Sequence, residues 1–250
     1  MPVNAPGPGE GRPVALVTGA SRGIGAATAV ALARSGWDVA VHFNSDREAA
    51  EGVAAQAREA GARACCERAD VRSAAEVAAL PERIRAGLGR VTGLVANAGI
   101  NHRAGLVEQT AQEWSQILAV NLSAPFLCMQ AFVPGMLEAG GGAIVAVSSI
   151  AGLTGGTVGP GYAASKGGLN ALTQFAAREL TPSGVRVNAV APIYTATEMA
   201  ADVPSVEVQR VVSGYRLGRM VRAEEVANVI SYLLGPDASA VTGEVVTIGA

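Results

Sequence analysis

The sequence is poor in aromatic and in charged residues. Aromatic side chains make up 4% of its 250 residues and charged ones 16%, whereas 50% of the residues are hydrophobic. The formal net charge is −2, so the chain lacks the basic surface typical of nucleic-acid binding and the polybasic cluster typical of membrane-surface binding. We therefore expect no nucleic acid and no membrane among its partners. The hydrophobic content is sufficient for the core of one α/β domain.

Cysteine and histidine are also scarce. The three cysteines, Cys65, Cys66 and Cys128, give neither an even disulfide framework nor the spacing of metal ligands. The two histidines, His42 and His102, are too few and too far apart in the sequence to build a metal site. These absences predict a protein that has no metal centre and works in the reducing cytoplasm.

The chain divides into a short leader and one domain. Residues 1–11 are rich in proline and glycine and have neither an apolar core nor a positively charged start, so they predict a disordered leader and not a signal peptide or anchor. Residues 12–250 alternate short apolar strands with helices. This alternation predicts an α/β fold with a single Rossmann-like, doubly wound parallel sheet flanked by helices.

A glycine-rich turn follows the first predicted strand, Val14–Val17. It runs from Thr18 to Gly25 and leads directly into an alanine-rich helix. The free N–H groups at a helix N-terminus attract phosphate, and glycine lets the backbone approach it. The spacing of its glycines differs from the commoner Gly-x-Gly-x-x-Gly fingerprint, and an ordinary tight turn is the alternative. The order of strand, turn and helix nevertheless favours a dinucleotide site.

The end of the second predicted strand, Asp38–Phe43, bears on the choice of dinucleotide. An acidic residue there would bind the two ribose hydroxyls of NAD, but Asn44 and Ser45 follow Phe43 instead. The guanidinium of Arg22, in the glycine turn, could meet a 2′-phosphate. The sequence therefore favours NADP(H) over NAD(H), with a solvated turn residue as the alternative interpretation of Arg22.

Two further strand ends are placed to contact such a cofactor. Asp70 and Val71 follow a strand, and the Asp70 carboxylate could accept from the adenine amino group or simply begin a turn. The buried strand around Leu94 breaks into Asn97-Ala98-Gly99, where small residues let the chain pass close to a cofactor.

Tyr162 and Lys166 are the candidate catalytic pair. They lie one turn apart on the same face of a predicted helix of about 18 residues that starts after Gly161. An ammonium beside a phenol favours the phenolate and so lowers the phenol pKa from about 10. The preceding apolar strand ends in Ser148-Ser149, at the sheet edge where α/β folds bind ligands. The arrangement predicts acid/base chemistry at a carbonyl, although a bare Tyr-x-x-x-Lys is common by chance.

Two capping-box spacings mark helix starts. Ser73 to Glu76 has a purely structural interpretation, and Thr110 to Glu113 opens a long predicted helix that carries Asn121. An asparagine inside a helix costs stability, so it often has a specific reason to be there. The polar segment 198–218 is predicted to form a substrate lid, and none of its side chains has a chemistry that identifies the ligand.

With these residues assembled, the chain resembles the short-chain dehydrogenase/reductase family over nearly its whole length. Five ordered motifs carry the resemblance: Thr18 to Gly25, Asn97-Ala98-Gly99, Asn121, Ser149, and Tyr162-Ala-Ala-Ser-Lys166. The resemblance implies a Rossmann-like domain, a nicotinamide cofactor, a catalytic tetrad of Asn121, Ser149, Tyr162 and Lys166, and a dimer or tetramer built through the helices that bear Asn121 and Lys166.

The family also implies a role for each of these residues. The tyrosine is the acid/base, the serine polarises the carbonyl, the lysine lowers the tyrosine pKa and holds the nicotinamide ribose, and the asparagine retains a water of a proton relay. Ser149 matches the family serine by its distance from Tyr162. The expected cofactor contacts are Gly19, Ser21, Arg22, Gly23, Ile24, Gly25, Asn44, Asp70, Val71, Asn97, Ala98, Gly99, Tyr162, Lys166, Pro192 and Thr197.

Two departures from the family pattern concern the substrate. Pro192-Ile193 stands where the family has Pro-Gly, which puts a β-branched side chain beside the expected nicotinamide. The chain looks closest to 3-oxoacyl-acyl-carrier-protein reductases, but the positive charge that would dock an acidic carrier is missing near Glu138 and Thr181. Arg103, Arg216 and Arg219 are the residues that could compensate.

The predicted function is NADPH-dependent reduction of a small ketone or a 3-oxoacyl thioester to a secondary alcohol, with Tyr162 as proton donor. One alternative is an NAD(P)-dependent alcohol or sugar dehydrogenase that works in the oxidative direction. Another is a non-catalytic nucleotide-binding protein of the same fold. The intact Ser149, Tyr162 and Lys166 argue against the second alternative.

Overall fold

The structure is a computed structural model that describes residues 11–200 and 205–250. Most of the predicted leader and the central residues 201–204 of the predicted lid therefore lie outside the described part of the chain. The strands are β1 (Val14–Val17), β2 (Asp38–Phe43), β3 (Ala64–Arg68), β4 (Val91–Ala96), β5 (Gly142–Val147), β6 (Val185–Pro192), β7 (Thr195–Ala196), β8 (Val221–Arg222) and β9 (Val245–Ile248). The helices are α1 (Gly23–Arg34), α2 (Arg47–Glu59), α3 (Ala74–Gly87), α4 (Ala111–Leu118), α5 (Ala124–Glu138), α6 (Ala151–Thr154), α7 (Pro160–Leu180), α8 (Ser205–Val212) and α9 (Ala223–Leu234).

The central sheet has seven parallel strands in the order β3-β2-β1-β4-β5-β6-β9. Every residue of β1, β2, β5 and β6 is buried, because helices cover both faces, and this explains why these strands are continuous apolar runs. The predicted doubly wound fold is confirmed. Its strand order reverses beside β1, where Val17 pairs with Val41 on one side and with Val95 on the other. Such a switch point opens a crevice at the carboxyl ends of the strands.

Two hydrophobic clusters hold the helices on the sheet. Leu32 of α1, Val53 of α2 and Ile230 of α9 belong to the cluster on one face. Ile84 of α3 and Phe132 of α5 belong to the cluster on the other face. The sheet is therefore fixed from both sides, and its carboxyl edge is left as the place where loops can form a site.

Arg186 fastens β6 to the last long helix. Its guanidinium is only 4% exposed and donates to the carbonyls of Leu233, Leu234 and Gly235 at 2.7, 3.2 and 3.0 Å. These are carbonyls that the end of α9 leaves without intrahelical partners, and a cation also complements the negative end of the helix dipole. The contact holds the strand that leads into the 192–199 loop.

The helix predicted around Asn121 differs from expectation. A π-helical turn, Ala119–Ser123, separates α4 from α5, so the helix is not regular at this residue. The extra residue in the turn is typical of functional positions. The Thr110 capping box is confirmed, whereas the Glu76 side chain accepts from the backbone N of Asp70 instead of completing a box with Ser73.

The stretch Ala111–Glu138 is long and apolar enough, by length and composition alone, to cross a membrane. The same composition is found in core helices of proteins that never enter a bilayer. Here Cys128, Met129, Phe132 and Met136 are buried against the sheet.

Candidate active site

A cleft of about 770 Å³ runs along the carboxyl edge of the sheet. The strand order places the residues after β3 and β2 at one end and those after β5 and β6 at the other. The predicted site residues on its wall are Gly19, Ser21, Arg22, Gly23, Ile24, Asn44, Asp70, Val71, Asn97, Ala98, Gly99, Ser149, Tyr162, Lys166, Pro192 and Thr197. Two predicted residues, Gly25 and Asn121, are not among the residues that line the cleft. One cleft thus gathers residues from six strand ends.

The glycine turn requires glycine for two different reasons. Gly19 and Gly23 have φ angles of +61° and +58°, a region that other residues rarely adopt. Gly25 is needed for space, since a Cβ there would lie 2.4 Å from the Gly19 carbonyl oxygen and 2.6 Å from Asn97 Nδ2. The first turn of α1, all of it described, has neither a capping side chain nor an acidic residue. Its N–H groups are therefore available to an anionic ligand.

Asn97 and Thr18 fix the shape of this turn. Asn97 Nδ2 donates to the carbonyls of Thr18 and Gly19 at 2.8 and 3.0 Å. Thr18 Oγ1 in return accepts from the backbone N of Asn97 and of Ala98 at 2.9 and 3.0 Å. Asn97, expected as a cofactor contact, also holds the glycine turn against β4. Thr18 belongs to the motif but was not expected to act in this way.

His42 is a cleft residue that the sequence analysis missed. Its ring is 1% exposed, accepts from the backbone N of Gly19 at Nδ1 (3.1 Å), and lies with Nε2 3.0 Å from the Ala69 carbonyl. Burial lowers the His42 pKa to about 4, so the ring is neutral at pH 7 and donates through Nε2. A neutral imidazole here ties the glycine turn to the loop after β3. The only sequence signal was a polar residue inside an apolar strand.

This geometry predicts an acid-sensitive contribution of His42 to stability. Because the folded pKa of about 4 lies below the unfolded value of 6.5, the contribution is complete above pH 6.5 and is lost as the pH falls through 4. Urea unfolding should show the wild type losing about 2 kcal/mol more than His42→Leu between pH 7 and 5. Parallel pH dependences of the two proteins would contradict a neutral buried imidazole.

The end of the cleft beside β2 and β3 carries charges that are already paired. The Asp70 carboxylate accepts from Arg72 through the backbone N, Nε and Nη2 at 2.9, 2.9 and 2.6 Å, and this hydrogen bonding holds the Asp70 pKa below its usual range. Arg22 is exposed and lies 3.3 Å from Glu198 Oε2. Asn44 is exposed on the wall close to both.

At the other end, Ser149, Tyr162 and Lys166 meet on the cleft wall. Lys166 is 4% exposed, and its Nζ donates to the Val147 carbonyl at 2.7 Å and lies 5.7 Å from the centre of the Tyr162 ring. Ser148 Oγ donates to the Lys166 carbonyl at 3.2 Å, so Ser148 anchors α7. Both serines line the cleft, and Ser149 is the one whose side chain hydrogen-bonds to Tyr162.

The electrostatics of this end are set by burial. Desolvation raises the pKa of Tyr162, and the Ser149 hydroxyl partly offsets this by hydrogen bonding to it. Desolvation also lowers the pKa of Lys166 to about 8. The expected lowering of the Tyr162 pKa by Lys166 does not dominate here, because desolvation of the phenol has the larger effect. Tyr162 is therefore protonated at neutral pH and suited to donate a proton.

Asn121 is fully buried in the π-turn. Its Oδ1 accepts from the backbone N of Ile100 at 2.9 Å, and its Nδ2 donates to the Ile100 carbonyl at 2.9 Å and to Ser165 Oγ at 3.2 Å. These bonds hold the chain after β4 next to α7. A Cβ on Gly99 would lie 3.5 Å from Asn121 Oδ1 and 3.7 Å from Lys166 Nζ, so both side chains approach the backbone at Gly99.

Ile193 is among the residues that line the cleft. It is 3% exposed, and its tip meets Gly249, where a Cβ would lie 2.9 Å from Ile193 Cδ1. The absence of a side chain at Gly249 makes room for the tip of this branched side chain. Pro192 and Thr197 line the cleft on either side of Ile193, as predicted.

Comparison with known proteins gives a consistent result along the chain. A family model described as short chain dehydrogenase matches residues 13–207. The cis-4-hydroxycyclohexanecarboxylate dehydrogenase of Sinomonas cyclohexanicum is 42% identical over 236 residues, which cover 94% of each chain. A 3-oxoacyl-[acyl-carrier-protein] reductase of Staphylococcus aureus is 35% identical over 94% of this chain and 95% of its own. Among solved structures, levodione reductase superposes with a TM-score of 0.90 at 32% identity, over 95% of this chain and 96% of that one.

Proposed function

This chain belongs to the short-chain dehydrogenase family, and we propose that it is an NADP(H)-dependent oxidoreductase that interconverts a small ketone and its secondary alcohol. The observation that carries the proposal is the meeting of Ser149, Tyr162 and Lys166 in the same cleft as the glycine turn. A non-catalytic nucleotide-binding role would not require an acid, a hydrogen-bond donor and a buried lysine at one point.

The cleft fits a nicotinamide dinucleotide. The positive φ angles of Gly19 and Gly23 and the open N-terminus of α1 form a cradle for a diphosphate at one point of the cleft, and the pair Tyr162 and Lys166 lies further along. When bound, the nicotinamide would supply or accept the hydride. Lys166 would bind the adjacent ribose, while Asn44 and Arg22 would face the adenosine end.

In the proposed reaction the chain's own residues position the carbonyl and move one proton. Ser149 Oγ donates to the carbonyl oxygen and orients it. The Tyr162 hydroxyl, kept protonated by burial, gives its proton to the same oxygen as the alcohol forms. Lys166 then favours the resulting phenolate from one helical turn away. Oxidation of the alcohol uses the same groups in reverse.

The relatives divide between a small substrate and a carrier-bound one. The 42% identical relative is named for a secondary alcohol on a cyclohexane ring that bears a carboxylate. The reductase from Staphylococcus aureus is named for a carrier-bound 3-oxoacyl group. We propose the former kind, because the residues at Glu138 and Thr181 are not basic and the nearby Arg90 is paired with Glu138 at 3.0 Å, which leaves little positive charge for an acidic carrier. The same relative favours, as the second candidate, a dehydrogenase that works in the oxidative direction.

We also propose a dimer or tetramer. Phe126 on α5 and Phe175 on α7 are 45% and 65% exposed. Exposed aromatic side chains on neighbouring helices suit an interface with another copy of the chain.

The test begins with the cofactor. NADPH and NADH are titrated separately and followed by cofactor fluorescence; then ketones, acetoacetyl thioesters, sugars and the corresponding alcohols are supplied in both directions. Tight NADPH binding with turnover of a free ketone or alcohol supports the proposal. Turnover of thioesters alone would indicate a 3-oxoacyl substrate instead of a free ketone. Failure to bind either nucleotide would contradict the proposal entirely.

Arg22 gives a sharper test of the cofactor. Arg22→Ala should weaken NADPH binding by about tenfold, because a charge-assisted bond to the 2′-phosphate is lost, and leave NADH binding nearly unchanged. Glu198→Gln is the matched control, since it removes the partner of Arg22 in the 3.3 Å ion pair and should not weaken NADPH. Equal losses for both nucleotides in Arg22→Ala would remove this residue from the choice of cofactor.

A further inference from the structure

Three of the four tyrosines in the chain line the cleft: Tyr162, Tyr194 and Tyr215. Aromatic residues make up only 4% of the sequence, so this is a local concentration. Tyr194 follows β6, and its hydroxyl lies 3.3 Å from Oγ1 of Thr157, which shortly precedes α7 and Tyr162. Tyr194 therefore lies in the cleft that holds Tyr162, and the chemistry proposed above gives it no role.

Apolar residues form part of the described cleft wall. Side chains from Ile100, Val158, Met199 and Val211 contribute to it. The charged residues on the cleft wall other than Lys166 are placed elsewhere: Asp46, Asp70 and Arg72 follow β2 and β3, and Arg22 pairs with Glu198. A sugar would need many polar partners at this end, and a compact apolar skeleton needs few.

The hydroxyl of Tyr194 is a polar group on this wall. Arg103 Nη2 donates to it at 2.5 Å, and Thr157 Oγ1 lies 3.3 Å away. A guanidinium has only donors, so the phenol oxygen accepts from Arg103 and directs its own proton to another acceptor. At 3.3 Å, Thr157 is a distant one, and a closer acceptor on a substrate would displace it. The hydrogen bond from Arg103 polarises the phenol, which makes the Tyr194 O–H a better donor to a charged acceptor such as a carboxylate.

We propose that Tyr194, held by Arg103, binds a carboxylate on the substrate at the end remote from the reacting carbon. The substrate class is then a compact, otherwise apolar keto acid or its hydroxy acid. This inference rests on the proposed function, because Tyr162 defines which carbon reacts. Tyr194 acts through a hydrogen bond and keeps its proton, so it determines specificity and takes no part in proton transfer.

The test compares Tyr194→Phe with Tyr215→Phe, which removes a hydroxyl from the same cleft and serves as the matched control. Binding is measured by calorimetry with cyclohexanecarboxylate, which has no reacting carbonyl, and with neutral cyclohexylmethanol, each with and without NADP⁺. Turnover is measured with 4-oxocyclohexanecarboxylate and with 4-methylcyclohexanone. The two binding ligands measure recognition in the absence of reaction, and the two ketones measure it during turnover.

Tyr194→Phe should weaken cyclohexanecarboxylate binding and lower kcat/KM for the keto acid by roughly ten- to a hundredfold, the range for a hydrogen bond to a charged group. The neutral ligand and the neutral ketone should change by less than about threefold. Tyr215→Phe should affect acid and neutral compounds by the same factor.

Equal losses for acid and neutral compounds in Tyr194→Phe would overturn the inference, as would wild-type protein that binds cyclohexylmethanol as tightly as the carboxylate. If the wild type binds the carboxylate through Tyr194 but turns over neither ketone with NADPH or NADH, the proposed function fails and the binding inference stands. If 4-methylcyclohexanone is reduced and the carboxylate brings no advantage, the proposed function stands and the inference fails.

Discussion

Replacing Tyr162 by phenylalanine should lower kcat by at least about 100-fold, since the reaction loses its positioned proton donor. The ring stays in place, so the contact between Lys166 Nζ and the ring face is kept. NADPH affinity should therefore change by no more than about twofold. Steady-state kinetics with the tighter cofactor, together with a fluorescence titration, separate the two quantities.

Ser148→Ala and Ser149→Ala provide the matched controls for this result. Ser149 is on the cleft wall beside Tyr162, so its loss should also reduce kcat, by about 100-fold, with little effect on unfolding. Ser148 Oγ donates to the Lys166 carbonyl, so its loss should cost about 1 kcal/mol of stability and much less activity. A Tyr162→Phe variant with undiminished turnover would remove Tyr162 from the mechanism and leave the fold unaffected.

The sequence predicts those parts of the molecule whose signals are local. Apolar runs bounded by glycine and proline define the strands, and β1 and β2 begin and end at the predicted residues. The glycine turn could be recognised because Gly19 and Gly23 have positive φ angles, which residues other than glycine rarely adopt. Tyr162 and Lys166 could be paired because helical spacing alone puts them on one face.

The parts that were missed depend on contacts between distant segments. The His42 ring hydrogen-bonds to Gly19 and Ala69, and the sequence of β2 does not predict which backbone groups this ring contacts. The π-turn at Asn121 arises because the side chain bonds both backbone groups of Ile100, 21 residues away. Gly249, which accommodates Ile193, lies at the far end of the chain.

One compositional signal pointed directly to the site. Lys166 is the only lysine in the chain, among 19 lysine and arginine residues in total. All the other residues in that total are arginines. The single lysine therefore indicates a position where a planar guanidinium is unsuitable. The structure gives the reason: Nζ is buried and donates to the Val147 carbonyl in a space suited to a compact ammonium.

Lys166→Met should lower kcat by at least about 100-fold and weaken NADPH as well, because the residue is proposed to serve both the tyrosine and the ribose. Lys166→Arg keeps the charge and is the control for geometry. If the buried ammonium is needed in this place, the arginine variant should be nearly as impaired as the methionine variant. Full activity in either variant would show that Lys166 has no part in the reaction.

The same residue makes the stability of the cofactor-free protein depend on pH. Burial lowers the Lys166 pKa from 10.5 to about 8. Between these values the unfolded chain binds a proton that the folded chain does not, so the free energy of unfolding rises with pH. Urea unfolding should show the wild type gaining about 1 kcal/mol relative to Lys166→Met between pH 7 and 9. The ammonium is therefore costly to the folded state at neutral pH. A residue kept at such a cost is expected where function requires it. Lys166→Met should therefore lose both this pH dependence of stability and its turnover.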